Sequence, residues 1–197
     1  MCNIELAFLV DASTKSDQQA WTQMLDFVSE IVRRYDIYPV CVRAAVITYS
    51  NTANAPILLT SYSNLNSLTQ AIGQLPLLGG SSNLAAALNL LQSQVFAGNV
   101  VRANTARIAI IITDQLQSSP QITTAANSAK SQGITIVAVG ITGPGRVDTN
   151  FTYSIRSNNS AIFVSDYSRL VSEARNTIVH QYGCFSPPTT PGTGMFS

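Results

Sequence analysis

Apolar positions along the chain fall into two patterns. Unbroken apolar runs occur at Ile4–Val10, at Ala106–Thr113, which contains "RIAIIIT", and at Ile134–Ile141, "ITIVAVGI". Each is too brief for a helix on its own and suits a strand buried on both faces. Tyr38–Tyr49 is β-branched and aromatic, as a strand should be. Pro56–Thr60 predicts a shorter partner strand across a hairpin turn at 51–55, and Ala161–Val164 a last short strand. The second pattern has the helical period. Trp21, Met24, Leu25, Val28, Ile31 and Val32 share one face, with Asp26, Glu30, Arg33 and Arg34 on the other. Ser16 and Gln19 open that helix as an S-x-x-Q capping box. Further helices are predicted over Leu65–Leu75, Leu84–Phe96, Gln121–Gln132 and Tyr167–Tyr182.

Strands and helices therefore alternate, and the central strands are continuous apolar runs. The combination predicts an α/β fold: a doubly wound, mostly parallel sheet, helices on both faces, one short antiparallel edge strand. Residues 1–184 are expected to form one domain. Beyond Cys184 the composition turns abruptly to Pro, Thr and Gly, so 185–197 reads as a linker towards a further domain.

Charge narrows the function classes. Eleven basic and ten acidic residues among 197 leave a net charge of +1, without the concentrated basic surface that nucleic acid or an anionic membrane needs. Charged residues are only 11% of the chain, against about 25% in a typical soluble domain, so Ser, Thr, Asn and Gln must form much of the surface. No apolar run approaches the length of a membrane span. Cys2, Cys41 and Cys184 lie far apart with no C-x-x-C spacing, which gives no support to a zinc or redox motif. Cys2 precedes the first strand and Cys184 follows the last helix; a bridge between them would close nearly the whole chain, contributing roughly 4–5 kcal/mol in the chain-entropy picture. Cys41 reads as a buried free thiol. The sequons at Asn150 and Asn158 fit a secreted glycoprotein. Met1-Cys2-Asn3 lacks the start of a signal peptide, so the chain reads as an excised piece of a larger secreted protein.

In an open α/β sheet, ligands gather beyond the carboxyl ends of the parallel strands. Asp11 directly follows "AFLV", Asp114 directly follows "IAIIIT", and Ser82 sits after a Gly pair in "LLGGSSNLAAAL". Carboxylates and hydroxyls converging there make an oxygen cage suited to Mg²⁺, Mn²⁺ or Ca²⁺. Helix N-capping by the same two aspartates is the alternative. The chain resembles a von Willebrand factor type A domain of the extracellular group that includes matrilins, collagen-associated domains and integrin inserted domains. Asp11-Ala-Ser13-Thr-Lys15 stands in register with that family's D-x-S-x-S metal-ion-dependent adhesion site. Gly79-Gly80-Ser81-Ser82 matches its second loop, and Thr113-Asp114-Gln115 its third. The resemblance implies Asp11, Ser13, Ser82 and Asp114 as metal-site residues, and a partner acidic group completing the coordination.

Lys15 stands where the family has a liganding serine. A protonated ammonium has no lone pair and cannot coordinate a cation. Either it points to solvent, with water or Ser16 supplying an oxygen, or it reaches Asp11 and Asp114 and takes the cation's place. In the second case, charges about 4 Å apart interact by roughly 4 kcal/mol at an effective dielectric of 20. The site is therefore expected to bind Mg²⁺, Mn²⁺ or Ca²⁺ weakly or not at all. His180, the single histidine, has no catalytic partner in sequence, and no nucleophile elbow, P-loop or dinucleotide motif occurs. In "TGPGRVD", Arg146 and Asp148 are candidates for partner contact. The expected function is a non-enzymatic module of a secreted matrix protein, docking a collagen-like or other scaffold partner. The alternative is a structural assembly or spacer domain that self-associates through other surfaces, with Lys15 filling the former metal site.

Overall fold

The computed structural model describes residues 3–13, 17–142, 147–158 and 160–182. Strand β1 (Ile4–Asp11) is buried at every position and lies between β2 (Val42–Tyr49) and β4 (Ala106–Thr113), parallel to both. The sheet order is β3-β2-β1-β4-β5-β6, with β3 (Ala53–Ile57), β5 (Ile134–Ile141) and β6 (Ala161–Val164). Among the described residues only the β2–β3 pairing of strands is antiparallel. Strand alternation divides the core into two layers. Leu6, Phe8 and Val10 face one layer with α1 (Gln18–Val32), α2 (Leu65–Gly73) and α6 (Arg175–Tyr182). Ala7 and Leu9 face the other, with α3 (Leu84–Leu90), α4 (Pro120–Ser131) and α5 (Thr149–Ile155). Alanines 125, 126 and 129 form the buried face of α4, so that helix can approach the sheet closely.

The predicted α/β architecture is the one observed, with local differences that have physical causes. Helix α1 is capped by Asp17, whose Oδ1 accepts from the Ala20 amide at 2.7 Å; Ser16 lies outside the described residues. The strand expected from Tyr38 starts at Val42, because Tyr38–Cys41 folds into a turn in which the Cys41 amide donates to the Tyr38 carbonyl at 2.9 Å. The edge strand sits earlier than Pro56–Thr60. It ends at Ile57, where the Leu58 amide turns to the Ser61 hydroxyl at 2.9 Å. Pro56 is tolerated because an edge strand does not need every N–H. The helix from Leu84 passes into a π turn over Leu91–Val95. The last helical segment is a 3₁₀ turn (Tyr167–Arg169), a π turn (Leu170–Ala174) and α6 in succession. Helix α5 was not anticipated, being short and polar in composition. Cys41 is free but half-buried, rather than buried. Cys2, Cys184 and the 185–197 segment lie outside the described residues.

Candidate functional site

The strand order reverses between β1 and β4, since the chain winds outward to β2 and β3 before crossing to β4, β5 and β6. At such a switch point the connections from the two neighbouring strands leave in opposite directions, which opens a crevice beyond their carboxyl ends. Asp11 ends β1 and Asp114 immediately follows β4, so both carboxylates are delivered there. The surrounding loops are stitched together by the backbone. The Ala12 amide donates to the Tyr49 carbonyl at 2.8 Å, and the Ala12 carbonyl accepts from Leu78 at 3.1 Å and Gly79 at 2.9 Å. Gly80 has φ +94, and a Cβ there would stand 2.7 Å from the Asn51 amide nitrogen. The close approach lets Asn51 Oδ1 accept from the Ser81 amide at 2.8 Å. Ser82 is thereby carried inward.

Three of the four predicted residues are joined directly. Asp11 Oδ2 accepts from the Ser82 hydroxyl at 2.7 Å and the Thr113 hydroxyl at 2.8 Å, while Oδ1 accepts from the Ser13 amide at 3.2 Å. Asp11 and Ser13 are both fully buried. Burial pushes the Asp11 carboxyl above its ordinary range; the bonds from Ser82, Thr113 and Ser13 oppose this, and the nearby Asp114 charge adds to it. Asp114, also buried, accepts from the Tyr167 hydroxyl at 2.6 Å through Oδ2. Lys15 lies outside the described residues.

Sequence reasoning missed several participants. Gln115 Nε2 donates to Ser13 Oγ at 2.5 Å, and its main-chain amide donates to Thr113 Oγ1 at 2.9 Å. Its place directly after Asp114 was the available signal. Tyr167 approaches from beyond β6, and nothing in the local pattern marks it. Tyr49 is wholly buried with its hydroxyl beside the Thr113 and Ser82 hydroxyls, completing a well-formed bond to neither.

The oxygen chemistry of Asp11, Ser13, Ser82 and Asp114 is that of a hard-cation site, and in this structure three of the four are bonded to one another. An amide N–H is aimed at Ser13 Oγ, and two hydroxyl protons are aimed at one oxygen of Asp11. Among the described residues no group of three or more His, Cys, Asp or Glu side chains could hold a metal ion. Asp148 is engaged as the N-cap of α5, accepting from the Phe151 amide at 2.9 Å; Arg146 lies outside the described residues. Asn150 and Asn158 are exposed. The exposed His180 is on α6, whose last residue, Tyr182, accepts from Tyr35 just before β2, at the opposite end of the sheet.

Comparison with known proteins agrees with this fold. The family model for the von Willebrand factor type A domain matches residues 5–176. The collagen alpha-4(VI) chain of Mus musculus is 31% identical over 137 residues, covering 70% of this chain and 6% of its own length. Matrilin-3 of Homo sapiens is 26% identical over 194 residues, 96% of this chain and 39% of the relative. This chain thus spans well under two thirds of either. Among solved structures, proximal thread matrix protein 1 from the mussel byssus superposes with a TM-score of 0.83 at 21% identity, over 92% of this chain and 46% of that one. Another structure of that protein is described as having a zinc-occupied site. Manganese-loaded TRAP protein of Plasmodium vivax gives a TM-score of 0.74 at 16% identity, over 93% of this chain and 75% of its own. At these identities the structural likeness shows the fold alone.

Proposed function

This chain belongs to the von Willebrand factor type A domain family, and from that premise we propose that it is a non-enzymatic protein-binding module of a larger secreted matrix protein. It docks a collagen-like or other scaffold partner through the loops at the strand ends, with little or no dependence on divalent metal. The names of the matched relatives, type VI collagen chains and matrilin-3, support the matrix setting. The observation that carries the metal-independent reading is the bond from Gln115 to Ser13, with Asp11 already satisfied by Ser82 and Thr113. A face whose polar groups bond one another is pre-organised without an ion. Leu78, 42% exposed and tied by its amide to Ala12, gives that face an apolar contact point.

The test is binding to immobilised matrix proteins by surface plasmon resonance, in Mg²⁺ and in EDTA. The expected affinities agree within about twofold, and Leu78→Asp weakens binding by tenfold or more. Loss of binding in EDTA overturns the metal-independent reading. A second reading, self-assembly, is favoured by Tyr38 and Val40, 57% and 58% exposed at the opposite end of the sheet. If it holds, Val40→Asp shifts the sedimentation coefficient while Leu78→Asp leaves it unchanged. The exposed Asn150 and Asn158 are proposed glycan carriers, and Cys2 with Cys184 the proposed disulfide. Peptide mapping of material from an oxidising secretory host checks both.

A further inference from the structure

The flank of the sheet formed by β6 is open. The Ala138 amide donates to the Ser160 carbonyl at 2.9 Å and the Thr142 amide to the Val164 carbonyl at 2.8 Å, so the ladder to β5 uses alternate residues of β6. Ala161 and Phe163 therefore turn their N–H and C=O groups outward. No strand pairs with that edge among the described residues. Edge strands are kept from pairing with foreign chains by charge, proline, a bulge or a cover. Ala161–Val164 is short, but it carries neither charge nor proline.

An aromatic pair stands beside this edge. Gly140 lies opposite Phe163 in the ladder, and a Cβ there would stand 3.0 Å from the Phe163 ring; the missing side chain leaves room for that ring. Tyr153 of α5 meets it at 5.4 Å between centroids and 77° between planes. The Arg156 guanidinium stands 4.7 Å from the Tyr153 centroid. The tyrosine is thus held by two neighbours, yet it remains 47% exposed. Helix α5 buries Phe151, Thr152 and Ile155 and presents Asn150 and Tyr153 to water. At i and i+3, these two stand about 5–6 Å apart between Cβ atoms. Asn150 opens the sequon Asn150-Phe151-Thr152.

We propose that the N-linked glycan on Asn150 seats on Tyr153 and covers the open edge of β6. The inference rests on the reading that Asn150 is glycosylated, and it gives that glycan a place and a task. The C–H face of the first N-acetylglucosamine packs on the tyrosine ring, whose large apolar area is already held in place. The bulky, hydrated remainder stands where another chain would have to pair with Ala161 and Phe163.

The experiment uses protein secreted from a eukaryotic host: wild type, Tyr153→Ala and Tyr153→Phe, each with and without Asn150→Gln. Glycopeptide mapping gives the occupancy of Asn150, and thermal unfolding is followed by circular dichroism. In the wild-type and Tyr153→Phe backgrounds, Asn150→Gln is expected to lower the melting temperature by about 2–4 °C, the size of one aromatic contact in a domain of this length. In the Tyr153→Ala background the same change is expected to shift it by less than about 1 °C. Without the glycan, the outward amides of Ala161 and Phe163 are expected to exchange hydrogen faster, while those of β1 keep their rates. An Asn150→Gln effect that is equal with and without the ring overturns the seat. Equal exchange at Ala161 and Phe163 overturns the cover. An unoccupied Asn150 overturns the glycan reading itself, so the failures are told apart.

Discussion

The Tyr49 phenol is a fully buried polar group near the site. Burial holds its pKa well above the ordinary phenol value, and the neighbouring Asp11 charge acts in the same direction, with Asp114 adding to it. Its oxygen completes no well-formed hydrogen bond, so it was stripped of water without full compensation. Tyr49→Phe should therefore leave stability unchanged or raise it by up to about 1 kcal/mol in urea unfolding at pH 7. A loss beyond about 1.5 kcal/mol would show instead that the hydroxyl is bonded, to Thr113, Ser82 or water. The pH dependence has a definite sign. A phenol with a raised folded pKa contributes stability that is full below the ordinary value of 10 and declines as pH rises through the folded value. Tyr49→Phe should remove that part of the alkaline decline, which parallel urea titrations at pH 8 and pH 11 would read.

At the scale of single elements, α1 shows how far pattern alone reaches. Its apolar face, Trp21 through Val32, is buried as the helical spacing predicts, because burying that stripe is the main reason the helix forms. The cap depends on one residue of register, which spacing does not resolve. A carboxylate at Asp17 accepts the Ala20 amide at 2.7 Å, and the charge is well placed at a helix N-terminus. Asp17→Ala is expected to cost about 1 kcal/mol, measured by thermal or urea unfolding; a cost below about 0.3 kcal/mol would return the cap to another residue. Asp11 and Asp114 were legible for the same reason as β1 and β4: a strand buried on both faces must end where its apolar run ends, and the next residue faces the crevice; Ser82 was marked by the Gly pair before it and Ser13 by the D-x-S-x-S resemblance. Gln115 was legible only as a position in the third loop motif, without its bond to Ser13, and Tyr167 was not legible at all. Their roles come from contacts with Ser13 and Asp114 that no local periodicity encodes. Helix α5 was missed because Asp148 and Thr149–Ile155 carry little apolar period, and its stability comes from packing Phe151 and Ile155 into the second core layer.

Across the whole molecule, the parallel strands have two ends with different tasks. The carboxyl ends hold the Asp11 loops, and the amino ends hold a buried ion network that fastens the sheet. Glu5, fully buried on β1, accepts from Arg43 Nε at 2.9 Å and Nη2 at 2.6 Å, and from Arg102 Nε at 2.8 Å. Arg102 also donates to the carbonyls of Pro39, Ile4 and Cys41, tying the turn before β2 to β1. Burial by itself raises the Glu5 pKa, but the hydrogen bonds from Arg43 and Arg102 together outweigh it, and the carboxyl lies below its ordinary 4.5. Its contribution to stability is therefore complete above pH 4.5 and lost as pH falls through the folded value. Glu5→Gln leaves two largely buried cations without their counter-charge, which should cost about 3–5 kcal/mol at pH 7. The difference between wild type and variant should narrow below pH 4.5, because the wild type then loses what the variant already lacks. Urea unfolding at pH 7 and pH 3 reads both arms. A pH-independent difference, or one under about 1 kcal/mol at pH 7, would mean that the network contributes register rather than stability. Because the network lies at the far end of the strands from Asp11, the variant that stays folded should bind matrix proteins as the wild type does. A change in that binding would show that the strand starts and the binding loops are mechanically coupled through β1.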